Sequence, residues 1–151
     1  MNRKVLYGVG AIVALIILAF AYWAISPLFI HIKVDDELSA TPDVPIQEFA
    51  SASVIGTTAH PASGMVRIVE GEGKRYVRYE NYKTINGPDL FVYLAKDIDA
   101  SEYIDLGPLR ATEGNINYEI PAGVNLAEYP YVLTWCRAFS VLFNYADISV
   151  S

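Results

Sequence analysis

Met65-Val66-Arg67-Ile68-Val69 and Tyr76-Val77-Arg78-Tyr79-Glu80 flank Gly71-Glu72-Gly73. Both arms alternate side chains with a period of two, and the glycines between them accept positive φ at no steric cost, so the stretch predicts an antiparallel hairpin. The same signal recurs outward. Strands are expected at Phe49–Thr57, Leu90–Leu94, Tyr103–Leu106, Asn117–Ile120, Tyr131–Arg137 and Val141–Tyr145, broken by Asn86-Gly87-Pro88, Gly107-Pro108, Gly114 and Pro121. About eight short strands at this spacing predict an all-β fold, a single antiparallel β-sandwich or barrel-like domain. Many of the tyrosines fall on these strands, where aromatic pairs stabilise a sheet without any functional role. Asn125–Tyr129 has room for one helical turn.

The N-terminal segment is of another kind. Val5 to Ile30 is apolar apart from Ser26, follows Arg3 and Lys4, and precedes every Asp and Glu in the chain. As a helix it reaches roughly 39 Å, more than the roughly 30 Å of hydrocarbon to be crossed. Arg3 and Lys4 lie before it, whereas Lys33 behind it is followed at once by Asp35, Asp36 and Glu37, so the positive-inside bias predicts a cytoplasmic N-terminus and an extracytoplasmic domain. A cleaved signal peptide is the competing expectation; the apolar run is much longer than a signal core, and Ala19-Phe20-Ala21 lies inside it. Residues 1–34 are therefore expected to form the cytoplasmic start and a single-pass anchor in the cell membrane, 35–46 an extracytoplasmic stalk with Pro42 and Pro45, and 47–151 the β domain.

About 115 residues from Asp35 onward suffice for one core without disulfide staples. Cys136 is the single cysteine, so no internal disulfide forms. Beyond residue 34 there are 17 acidic and 8 basic residues, a net charge of −9, which argues against nucleic-acid binding.

Ser63-Gly64-Met65-Val66-Arg67-Ile68-Val69, Asn86-Gly87-Pro88-Asp89-Leu90-Phe91-Val92-Tyr93-Leu94, Tyr103-Ile104-Asp105-Leu106-Gly107-Pro108-Leu109, Asn117-Tyr118-Glu119-Ile120-Pro121 and Trp135-Cys136-Arg137-Ala138-Phe139 together resemble the successive blocks of the DM-thirteen domain family, over about residues 47–147. The resemblance implies a small all-β module of secreted and membrane-bound proteins, often found beside DOMON domains, that takes part in electron transfer through its cysteine, as a bare thiol or as ligand to a prosthetic group such as haem. Cys136 is the position that would carry this, with Trp135 and Arg137 beside it as the candidate cofactor-binding segment. As a module alone on a tether, the chain would find its electron-transfer partner in another chain.

Simple alternation puts Val132, Thr134 and Cys136 on one face of their strand and Leu133, Trp135 and Arg137 on the other. An inward Cys136 is a small buried hydrophobe of little reactivity; one facing a cleft with Arg137 or Arg110 nearby favours the thiolate, a redox group or soft ligand. An axial haem ligand would come from Cys136, His60 or Met65. No Cys-x-x-Cys-His site exists, so any haem would be non-covalent. Asn86 and Asp89, with Tyr82 or Tyr93, are candidate ligand-binding residues in what reads first as a turn. Asp97-x-Asp99-x-Ser101 begins a calcium-loop spacing, but Glu102 replaces the turn glycine and Pro108 stands where the bidentate acid belongs, so an acidic turn is expected. Neither a nucleophile triad nor a zinc set is legible, and no conventional catalytic pocket of its own is expected. Two functions from different classes follow: a tethered redox module acting through Cys136, or a cell-surface adhesion or ligand-binding module whose cysteine is packing.

Overall fold

The computed structural model describes residues 2–38, 46–71 and 73–149. The chain begins as a helix, α1 (Arg3–Ile25), capped by Asn2, and passes through a 3-10 turn at Ser26–Phe29, where Pro27 suits a helix start but not its continuation. Among the described residues, Arg3–Phe29 is the one stretch long and apolar enough to cross a membrane, and none of α1 is buried. Its apolar side chains point outward on all sides, which is stable in lipid and not in water.

Ten strands follow: β1 (Lys33–Asp35), β2 (Gln47–Ser53), β3 (Ile55–Gly56), β4 (Ala62–Gly71), β5 (Lys74–Thr84), β6 (Leu90–Ala95), β7 (Tyr103–Pro108), β8 (Glu113–Ile120), β9 (Tyr131–Cys136) and β10 (Val141–Asp147). They form two five-stranded sheets, β1-β8-β5-β4-β2 and β3-β10-β9-β6-β7. The hairpin read from the sequence is β4–β5, paired Val66↔Tyr79 and Ile68↔Val77 and closing at Gly71↔Lys74. Of its turn, Glu72 lies outside the described residues and Gly73 takes φ 76°. Inward side chains of the first sheet (Val66, Ile68, Val77, Tyr79, Ile116, Tyr118) meet those of the second (Val92, Leu94, Val132, Ala146) in the main core.

Each expected strand is present, with two departures. Phe49–Thr57 divides at Val54, whose side chain enters the core and whose N–H donates to the Gly64 carbonyl at 2.9 Å. The chain thereby passes from one sheet to the other, so a single stretch supplies edge strands to both. The second departure is β1, which pairs in parallel with β8, the other pairings being antiparallel. Of the expected stalk, residues 39–45 lie outside the described residues.

The short run from α1 to β1 is hydrogen-bonded throughout. The Asn86 amide donates to the Ile30 carbonyl at 3.0 Å, and Ile32 exchanges bonds with Thr112. Asp36 follows, its carboxylate taking both Arg110 nitrogens at 2.7 and 3.0 Å and the Asn117 N–H at 3.0 Å. Burial alone would raise the Asp36 pKa, but Arg110 and Asn117 outweigh it and hold the carboxyl below its ordinary value. A carboxyl depressed in the folded state contributes stability above its unfolded pKa of about 3.9 that is lost as pH falls through the folded value. Asp36→Asn is expected to cost about 1 kcal/mol at neutral pH, since Arg110 is half exposed. Urea titrations from pH 7 down to pH 2 should show the two proteins converging in acid; a gap that persists there would exclude this linkage.

Because α1 joins the domain here, the sandwich has an anchor side and a far side. Strand directions place the loops at 57–61, 85–89, 109–112 and 137–140 on the anchor side, and those at 96–102 and 121–130 on the far side.

Candidate functional site

Strand β9 lies between β6 and β10 at the middle of the second sheet, with Cys136 opposite Leu90 and Val141. The alternation is regular. Val132, Thr134 and Cys136 face into the sandwich, and Cys136 is wholly buried, enclosed by Leu90 and Phe143 with Ile85 and Leu109 at the margin. A bulge between Leu142 and Asn144 makes this enclosure, because it turns Phe143 and Asn144 inward together.

Outside Phe143 stands His60. The two rings stack at 3.8 Å between centroids and 18° between planes, and His60 Nδ1 lies 2.9 Å from the Thr57 hydroxyl. Burial lowers the imidazole pKa, in part offset by a bond with Leu142 backbone, so the ring is neutral at physiological pH. Beside this stack lies a cleft of about 350 Å³ on the anchor side, walled by His60, Phe143, Pro88, Phe139, Val141 and Leu28. Cys136 does not line it; Phe143 and Ile85 both line the cleft and pack in the cluster that encloses the thiol.

Trp135 and Arg137 lie across the sheet from the sulfur. The Arg137 guanidinium sits 3.5 Å from the Phe91 ring centroid, donates from Nε to the Tyr93 hydroxyl at 2.6 Å and pairs with Asp105. Tyr93 and Tyr103 stack beside it at 4.0 Å, and Trp135 is half-buried with Tyr131, Leu142 and Tyr145 in the same outer cluster. Arg110 is engaged with Asp36, so neither arginine meets the thiol. Asn86 and Asp89 belong to an anchor-side loop. The Asn86 side chain is taken up by Gly87 N–H and the Ile30 carbonyl, and the Asp89 carbonyl accepts from Arg137 N–H at 2.9 Å. Tyr82 is buried in the core and Tyr93 lies in the outer cluster, so these candidates do not converge on one cleft. At Asp97 the carboxylate accepts from Asp99 and Ser101 N–H, forming an Asx turn.

A buried polar cluster went unread in the sequence. The Tyr82 hydroxyl lies 3.0 Å from Thr134 Oγ1, and the Asn144 amide donates to Tyr82 at 3.1 Å and to Thr84 at 3.2 Å. By strict alternation Tyr79 and Tyr82 point to opposite faces. A bulge between them, with Asn81 at φ 48°, sends both inward, where their rings lie 4.5 Å apart. Burial raises both phenol pKa values, so this cluster stays neutral and its bonds are satisfied internally.

A haem held by this cysteine does not fit the packing. The sulfur is closed in by Leu90 and Phe143, the His60 ring lies flat on Phe143 with Nδ1 engaged, and Met65 is partly exposed with its sulfur 3.8 Å from the Ser53 hydroxyl. These three do not converge on one apolar pocket, as axial ligation requires.

The family model for the electron transfer DM13 domain matches residues 54–148, well over half of the chain. The chain belongs to the DM13 electron-transfer family. The match in this DM13 protein runs from Val54, where the chain changes sheets, through β10, and so contains Cys136, Phe143 and His60 but not α1, β1 or β2. No curated protein and no solved structure matches the chain.

Proposed function

We propose that this DM13 chain is a membrane-tethered electron-transfer module, its domain outside the cytoplasm, acting through Cys136 and exchanging electrons with a partner in another chain. One observation carries it beyond the family description: Cys136 lies at the anchor end of β9, in a cluster whose Phe143 and Ile85 also line the cleft that opens there. An apolar shell keeps reagents from the sulfur. When the thiol gives up one electron its S–H bond breaks and a thiyl radical remains, so an oxidised partner takes the electron across the packed side chains around the sulfur and the proton passes to the partner or to solvent. The bare thiol is favoured over ligation because the packing has no room for a haem at the sulfur.

The test is the visible spectrum and film voltammetry of the natively purified full-length chain beside its Cys136→Ser variant. The expected result is no Soret band in either protein and a redox wave in the wild type that the variant lacks. A wave unchanged in the variant, or absent from both, excludes a redox role for Cys136; a Soret band lost in the variant would replace the bare thiol with a ligated cofactor.

A second reading, an adhesion or ligand-binding module, is supported by the outer face of the second sheet, where Tyr103 is 44% exposed beside Tyr93, Phe91 and Arg137. It requires that loss of function follow Tyr103 rather than Cys136.

A further inference from the structure

We infer that the anchor side of the sandwich is seated in the interfacial layer of the membrane that α1 crosses, with Phe139, Val141 and Pro88 among the lipid chains and lipid filling the cleft between them. This rests on the reading of α1 as an anchor.

The first ground is depth. Trp23, near the end of α1, touches Phe139 with ring centroids 6.3 Å apart, so the turn after β9 stands level with the last turn of the apolar helix. Aromatic side chains at that level belong to the membrane interface. The second is polarity. Phe139 is 48% exposed, Val141 36% and Phe29 79%, a run of apolar surface continuous with the helix. Among the described residues no Asp or Glu lines the cleft they border, whereas Asp97, Asp99, Glu102 and Glu128 lie in loops on the far side. The cleft that faces the helix is thus free of carboxylates, and the charged groups of the anchor-side loops include two cations, Arg110 and Arg137, suited to the headgroup level. The third is the absence of slack. The bonds from Asn86 to Ile30 and between Thr112 and Ile32 tie the domain directly to the helix exit, so docking orders no flexible linker. The contents of the cleft follow, since its Leu28 wall belongs to the anchor and its other walls are apolar except His60, whose ring lies flat on Phe143 with Nδ1 engaged by Thr57. A lipid chain needs no hydrogen-bonding group there.

The placement also sets the class of electron partner. With Phe143 on the wall of a lipid-facing cleft, the donor or acceptor is a redox group presented at the membrane interface rather than one free in the aqueous phase.

The experiment uses the full chain in phosphatidylcholine nanodiscs containing a lipid with a nitroxide near the top of its acyl chain, and reads amide NMR intensities. Loss of signal is expected along α1 and at Gly87, Phe139, Ser140 and Val141, with Asp99 and Gly123 unaffected. Phe139→Asp with Val141→Asp, both at the surface, should restore the domain signals while α1 stays bleached. Bleaching of α1 alone in the wild-type chain would overturn docking and leave the anchor standing. Shifts at 139–141 that follow protein concentration without bleaching would assign the face to a second copy and overturn it too. If α1 keeps its intensity, the anchor reading fails and docking fails with it.

Discussion

Gly114→Ala is expected to destabilise the domain by about 3 kcal/mol and to release β1 from the first sheet. Gly114 holds φ 116°, a conformation that side chains rarely adopt, and pairs with Val34 across the parallel β1–β8 ladder. A Cβ placed there would lie 1.8 Å from the Val34 carbonyl oxygen, which is backbone and cannot rotate away. β1 has only three residues, whereas β8 has eight and is gripped by β5, so the short strand is the one that yields. The domain should still fold, because its core is built almost wholly from the other strands. Urea denaturation measures the loss, and limited proteolysis between Ile32 and Leu38 reports the release. Unchanged stability with a protected segment would refute the parallel pairing. Since β1 and its flanking bonds set the domain against the helix exit, this variant should also abolish the nitroxide bleaching at Phe139 without touching that along α1.

Phe143→Ala should cost about 3 to 4 kcal/mol and make Cys136 reactive toward a small membrane-permeant thiol reagent in the native state. The phenyl ring packs in the cluster that encloses the sulfur, lines the cleft and carries the His60 stack. Removing it merges the thiol's enclosure with the cleft. In the wild-type protein labelling should wait for unfolding, so that its rate follows urea through the unfolding transition. Tyr145→Ala is the control. It lies two residues further on but in the outer cluster, and should leave the thiol silent. Rapid labelling of the wild type in the absence of urea would contradict the enclosure and with it the account of Cys136 as a shielded group.

Legibility tracked the kind of signal. The β4–β5 hairpin was readable because its two arms alternate and its turn is rich in glycine, a purely local pattern. The division of Phe49–Thr57 was not, since Val54 is an ordinary β-forming residue and only the competition of two sheets for the flanking strands breaks the run there. β1 carries no signal of its own; Lys33-Val34-Asp35 is too short to register and is held by Gly114, Asn115 and Glu113 far along the chain. The site was half legible. Alternation placed Cys136 with Val132 and Thr134, but Phe143 and Tyr82 reach the core through bulges, where the parity of a strand reverses.

Taken alone, the sequence determined the apolar helix, the all-β class, the turns and which residues share a face with Cys136, because each follows from local periodicity and backbone chemistry. Which face points inward was decided only by tertiary structure. Leu133, on the opposite face of β9, is as fully buried as Cys136, since Tyr93, Tyr131 and Trp135 cover the outside of the second sheet; both faces of the strand are apolar, and hydrophobic pattern cannot choose between them. The tertiary fold likewise decided that the thiol sits at the anchor end behind Phe143, because that depends on strand direction and on a bulge in a neighbouring strand, neither of which the residues around Cys136 encode.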